Sequence, residues 1–260
     1  MLILNEEKYA KDLYDGNNTE IKSIMAKIRY IARYLIHSEH KNENEAYIET
    51  VQWLNKYHNN FDESSYSNVI SDAIKGAFKY PFYIIDDIKI TKSELEMISS
   101  LDNLRAEKML FVLLCMAKLQ SMSNGFTNGL VKYSITDLCK AARVSVPADD
   151  REYILYEIVQ KGLLGYPKKN NTQCLIVNFM SNDDVVLELN ETDCQELAYI
   201  YLSWKNNGKG YTKCQRCHRP MRQSKTKPKK YCEECALTVQ KEQKRLWAEK
   251  SRKNLTQQND

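Results

Sequence analysis

Cys214, Cys217, Cys232 and Cys235 form two Cys-x-x-Cys knuckles with fourteen residues between them, and no other feature of the chain restricts its folding so tightly. Two residues between paired cysteines let one tight turn aim both sulfurs at a single point, and a tetrahedral zinc takes four thiolates at about 2.3 Å each. The spacing is close to that of two-knuckle zinc sites. Residues 219–231 carry Pro220 and Pro228 and almost no apolar side chains. Such a loop has no core to bury, so its order has to come from the metal. The expectation is one structural Zn2+ on the four cysteines, with His218 beside the site, since four thiolates already complete a tetrahedron.

Other readings of these cysteines are weaker. Cys214-Gln215-Arg216-Cys217-His218 also spells the c-type haem attachment motif, but one such pentapeptide leaves the second pair unexplained. Two disulfides would need an oxidising compartment. The N-terminal Met1-Leu2-Ile3-Leu4-Asn5-Glu6-Glu7 lacks the basic stretch and long apolar core of a signal peptide, so a reducing, cytoplasmic setting is expected. Cys115, Cys139, Cys174 and Cys194 have no Cys-x-x-Cys partner and read as small buried hydrophobes. No apolar run approaches the eighteen or so residues of a membrane span, and no membrane partner is expected.

The charge is lopsided. Between residues 211 and 253 fourteen Lys and Arg stand against four Glu, a balance of +10, so the rest of a chain whose net charge is +4 carries −6. A compact basic module on an acidic chain is the footprint of a surface that meets phosphates. Lys225, Lys227, Lys229 and Lys230 crowd the loop between the knuckles, and Lys241, Arg245 and Arg252 recur at helical spacing after them. Arg216, Arg219 and Arg222 can offer planar forks to phosphate oxygens. The plain alternative is a solvated tail, or one that docks on the acidic remainder of its own chain. From Ala236 to about Lys253 the residues are strong helix formers without Gly or Pro, so the second knuckle runs straight into a helix, which resembles a treble clef more than a ribbon.

The remainder reads as mainly α with small β. Three helices are expected in residues 19–80: one with Ile21, Ile24, Met25, Ile28, Ile31 and Leu35 inward and Lys22, Lys27, Arg29 and Arg33 elsewhere on the cylinder, then 44–57 and 65–78. Residues 82–90 read as a strand or extended linker. Thr91 and Glu94 form a capping box that starts a helix to about Leu101, and 104–119 is a helix apolar almost all round, hence central. From 104 to 180 the order resembles a winged helix: the buried helix, an extended piece at 130–133, a helix capped by Ser134, a third helix from Pro147 to about Leu163, and a hairpin of 164–167 with 174–179. Lys168 and Lys169 in that wing could reach a phosphate backbone. The third helix opens Ala148-Asp149-Asp150-Arg151-Glu152, which suits the helix dipole but repels phosphates, so this face could equally pack on a partner protein or a second copy.

The expected organisation is a helical region at 1–90, a winged-helix-like domain with a following helix at 91–205, a linker at 206–212, a basic four-cysteine zinc finger and helix at 213–253, and a tail at 254–260. Asn206-Asn207-Gly208-Lys209-Gly210 carries the clearest linker composition, and the zinc module is expected to hinge there. Together these parts resemble proteins of bacteriophages and other mobile elements. That resemblance rests on Cys214-Gln215-Arg216-Cys217, Tyr231-Cys232-Glu233-Glu234-Cys235 and the charged helix after them. It implies nucleic-acid transactions such as replication or transcription control in a bacterial cytoplasm.

Catalysis is not expected. His37, His40, His58 and His218 are scattered, and none of the eight glycines builds a phosphate loop. Asp87-Ile88-Lys89 resembles the end of a nuclease motif, but a metal site there needs further carboxylates, and only Asp86 and Asp72 are near in sequence. The reading is a zinc-dependent binder of nucleic acid, DNA before RNA. Its alternative is a non-catalytic factor that occupies a host enzyme or defence protein, and a homo-oligomer is open to either.

Overall fold

The structure, a computed structural model, describes residues 2–17, 23–125, 128–168, 174–224 and 226–257, with the side chains of 124 and 251–257 outside that description. The chain divides into two compact units, one of residues 1–88 with 119–126 and one of residues 89–118 with 127–260.

The first unit is built on helices α1 (Glu6–Tyr14), α2 (Ile24–His37), α3 (Glu43–Tyr57) and α4 (Glu63–Ala77). Each begins where a side-chain oxygen satisfies a free backbone N–H: Asn5, Ser23, Asn42 and Asp62 are the N-caps, and Asn42 with Glu45 completes a capping box. Ile28, Ile31 and Leu35 of α2 meet Leu13, Trp53, Leu54, Ile70 and Ile74 in one core. Each such Leu or Ile contributes about 1.5–3 kcal/mol by leaving water.

Three expectations change here. Residues before 18 hold a helix that was not foreseen. Met25, expected inward, is 49% exposed. Arg33, expected on the solvated side of its helix, is mostly buried and bonds both carboxylate oxygens of Glu6 at 2.7 and 3.0 Å. Burying Glu6 against α2 makes that cation part of the core arrangement, because a buried carboxylate needs a partner. Ile21 and Lys22 lie outside the described residues.

The chain continues through β1 (Ile88–Thr91), α5 (Lys92–Ser99), α6 (Leu104–Asn124), β2 (Leu130–Lys132), α7 (Ile135–Ala141), α8 (Ala148–Gln160), β3 (Leu164–Gly165), β4 (Cys174–Val177), β5 (Val185–Leu189), a 3-10 turn at Asp193–Gln195, α9 (Leu197–Lys205), β6 (Tyr211–Lys213), β7 (Pro220–Arg222) and α10 (Glu233–Gln257), all in the second unit except Ile88 and the end of α6 from Leu119. The mainly helical class with small sheets is as expected, and β1 is confined to the last part of the extended stretch. Met109 to Cys115 on α6 are all buried, as the run of apolar residues requires. Thr91 and Glu94 form both bonds of the capping box.

Strands β2, β4 and β3 make one antiparallel sheet with β4 in the middle: Val131 faces Leu175, and Leu164 faces Val177. Gly129 leads into β2 with φ +68°, and a Cβ there would lie 2.3 Å from the carbonyl oxygen of Val177, so only glycine lets the strands close. A separate pair, β1 with β5, was not foreseen. Beside it Glu94, fully buried, accepts from Lys118 Nζ at 2.8 Å, from the N–H of Ser181 at 2.8 Å and from the N–H of Thr91 at 2.9 Å. Lys118 also donates to the carbonyls of Lys89 and Ser181, so both charges are saturated with partners. Cys115, Cys139, Cys174 and Cys194 are buried, and burial raises the thiols of Cys115, Cys139 and Cys194. Among the described residues no helix is long and apolar enough to cross a membrane.

Candidate metal centre

The first knuckle sits at the tip of a hairpin. β6 pairs with β7 in the register Thr212 with Met221 and Lys213 with Pro220, which brings Cys214 and Arg219 together; the N–H of Cys214 donates to the carbonyl of Arg219 at 2.9 Å. His218 turns the chain with φ +58°, in the left-handed region, and its N–H returns to the carbonyl of Cys214. The second knuckle enters α10: Cys232 precedes the helix, its carbonyl accepts from the N–H of Ala236, and Cys235 lies in the first turn.

The four sulfurs therefore converge. All lie within 4.8 Å of one another, and Cys217 and Cys232 are 3.7 Å apart. Four thiolates around one tetrahedral ion would stand about 3.8 Å apart. Cys214 is wholly buried; burial alone would raise its thiol, but backbone N–H groups at Cys217, Cys232 and Arg216 hold it down at about 6. Cys235 goes the other way, to about 12, through burial and the neighbouring thiols. Four thiolates this close repel one another, and a cation relieves that repulsion. The donor set fits a single metal ion, which Cys214, Cys217, Cys232 and Cys235 could hold. His218 is outside that set. No other group of three or more His, Cys, Asp or Glu ligand atoms converges in this way among the described residues, which leaves Asp86, Asp87, His37 and His40 without such a site.

Of the connection at 206–212, read as a linker and hinge, residues 206–210 form hydrogen-bonded turns and Tyr211 and Thr212 belong to β6. The N–H of Gly208 donates to Ser203, that of Lys209 to Asn206 and that of Tyr211 to Gly208. The hairpin then packs back on its own unit. Tyr211 meets Tyr199 with ring centroids 5.9 Å apart, Lys213 pairs with the buried Asp193 at 2.8 Å, and Arg219 Nε donates to Gln195 at 2.8 Å. Gly208 and Gly210 take φ +77° and +82° in these turns, and the contacts of Tyr211, Lys213 and Arg219 tie the hairpin to the residues before it.

Of the residues expected to meet phosphates, Arg222, Lys227, Lys229, Lys230, Lys241 and Lys168 are exposed. Lys169 and Lys225 lie outside the described residues, as does the side chain of Arg252. Arg216 is engaged elsewhere: it bonds both carboxylate oxygens of Glu242 at 2.9 and 2.8 Å. Arg219 pairs with Glu234 at 3.1 Å, and Arg245 lies 3.5 Å from Glu249 one turn on. Gln223, which was not singled out, pins the lysine loop by exchanging two bonds with the backbone of Lys229, and the N–H of Gln215 holds the carbonyl of Lys230. Compared with family models, curated proteins and solved structures, the chain finds no match.

Proposed function

We propose that the chain binds nucleic acid through its C-terminal module, which one zinc ion holds together, and that it acts by binding without catalysis. The observation that carries this reading is the loop between the knuckles. Lys227, Lys229 and Lys230 are exposed on a backbone held by Gln223, by Gln215 and by cysteines at both ends, so three cations within four residues share one small scaffold. Zinc is the metal that four thiolates in a closed structural site favour. The order of α6, β2, α7, α8, β3 and β4, with β4 central, supports reading residues 104–177 as a winged helix, and the whole as a bacteriophage or mobile-element protein of the bacterial cytoplasm.

The test is a salt titration of DNA binding by the full chain. If about four cations meet phosphates, log affinity falls against log salt with a slope near −3 to −4, with weak sequence preference. Replacing Lys227, Lys229 and Lys230 together by Gln flattens the slope and weakens binding. A slope that the triple variant does not change would sink the assignment.

One observation favours a protein partner for the other end of this unit. The outer face of α8 exposes Asp149, Asp150, Glu152, Tyr153 and Tyr156, and an open groove of about 520 Å³ runs between Asp150, Tyr153 and Glu157 and the start of α6 at Asp102–Arg105. Carboxylates interleaved with exposed tyrosines suit a basic protein surface, such as that of a host factor, and repel phosphates.

A further inference from the structure

Trp247 is 73% exposed on α10, the largest exposure of any bulky apolar side chain among the described residues. Its neighbours explain what such a ring could meet. At 3.6 residues per turn, Gln240, Gln243, Lys244 and Lys250 all fall within about 60° of it on the helix, while Glu242 and Glu249 lie about 140–160° away. That face is therefore free of carboxylates from Ala236 to Lys250. Glu242 is occupied by Arg216 and Glu249 by Arg245 on the far side. A ring meant to pack on an apolar protein surface would have Leu, Ile or Val three and four residues away. Trp247 has Gln243, Lys244 and Lys250 there instead.

We infer that this face of α10 binds single-stranded nucleic acid, with Trp247 stacking on an unpaired base and Lys244 and Lys250 holding the phosphates on either side. The inference rests on the phosphate-binding reading above and adds the class of ligand. A solvent-exposed indole beside cations is the arrangement that tracks an unpaired strand, because every base has a face to stack while a duplex hides its faces inside. Gln240 and Gln243 add amide donors and acceptors beside the ring, suited to base edges or sugars.

The test uses the full, metal-loaded chain with oligo(dT), oligo(U) and a duplex of equal length. Tryptophan emission should be quenched by the single strands and little by the duplex, and the single strands should bind more tightly. Trp247→Ala should lose about tenfold in single-strand affinity. Trp247→Phe should recover most of that loss, with metal content unchanged in both. Quenching by oligo(dT), by oligo(U) or by both supports the assignment. If Trp247→Ala binds single strands as tightly as the parent while the salt slope persists, this inference falls alone. If no nucleic acid binds at low salt, the phosphate-binding reading falls with it.

Discussion

Arg216 and Glu242 are twenty-six residues apart, yet the guanidinium bonds both carboxylate oxygens and so joins the first knuckle to the third turn of α10. The Arg216 side chain holds the Glu242 carboxyl below its ordinary range. A lowered carboxyl pairs fully above the usual glutamate range and loses the pairing only as pH falls through its lowered value, so the clasp is closed at neutral pH.

Opening that clasp is expected to help binding. Glu242→Gln removes a carboxylate and frees Arg216 for a phosphate, so DNA affinity at low salt should rise and the slope against salt should steepen by about one contact. Fluorescence anisotropy across a salt series measures both; lower affinity would mean that the clasp itself shapes the binding surface.

Metal analysis should find one zinc per chain, and Cys232→Ser should lose most of it. Chelation should disorder residues 211–257 while the helices of residues 1–88 keep their amide protection, because the four sulfurs are the main internal ties of the knuckles. Hydrogen exchange with and without chelator reads this directly. Equal loss of protection in both regions would contradict it.

The buried pair of Lys118 with Glu94 offers a stability test. Lys118→Met leaves a buried carboxylate with only its two N–H donors and should cost about 3–5 kcal/mol in denaturant unfolding. Adding Glu94→Gln should recover part of the loss, since an amide there carries no charge. Additive losses would show that the two do not act as a pair.

His218 holds a left-handed backbone that costs a non-glycine residue about 1–2 kcal/mol. His218→Gly should therefore retain metal longer against a chelator and leave nucleic-acid affinity alone. Faster metal loss would give His218 a supporting role at the site.

Reversing Asp149 and Asp150 to Lys should leave DNA affinity unchanged or raise it, as repulsion at the start of α8 disappears. A sharp loss with the fold intact, checked by circular dichroism, would place the main contact on α8.

The four cysteines were legible because their spacing is local: two residues inside each knuckle decide where the sulfurs point. The caps at Thr91 and Ser134 were legible for the same reason. What escaped depends on distant partners. α1 is nine residues long and charged, and its Glu6 becomes a core group only when Arg33 arrives from α2. β5 buries only Leu189 fully, so no alternating pattern marks it, and β6 and β7 are three residues each, too short for any period. Arg216 looked free for phosphate because nothing nearby in the chain announces Glu242.

α10 is twenty-five residues long, about 37 Å of helix, and from Leu237 to Lys250 most of its side chains face solvent. A helix without packing is limited by the improbable first turn and propagates readily once that turn exists. Cys232 and Cys235 bracket that turn, so ligating a metal supplies the nucleus from which the remaining residues wind. With a metal on these cysteines, occupancy would govern more than the knuckles: it would decide whether Lys244, Trp247 and Lys250 share a face at all, coupling the metal to the shape of a surface several turns away.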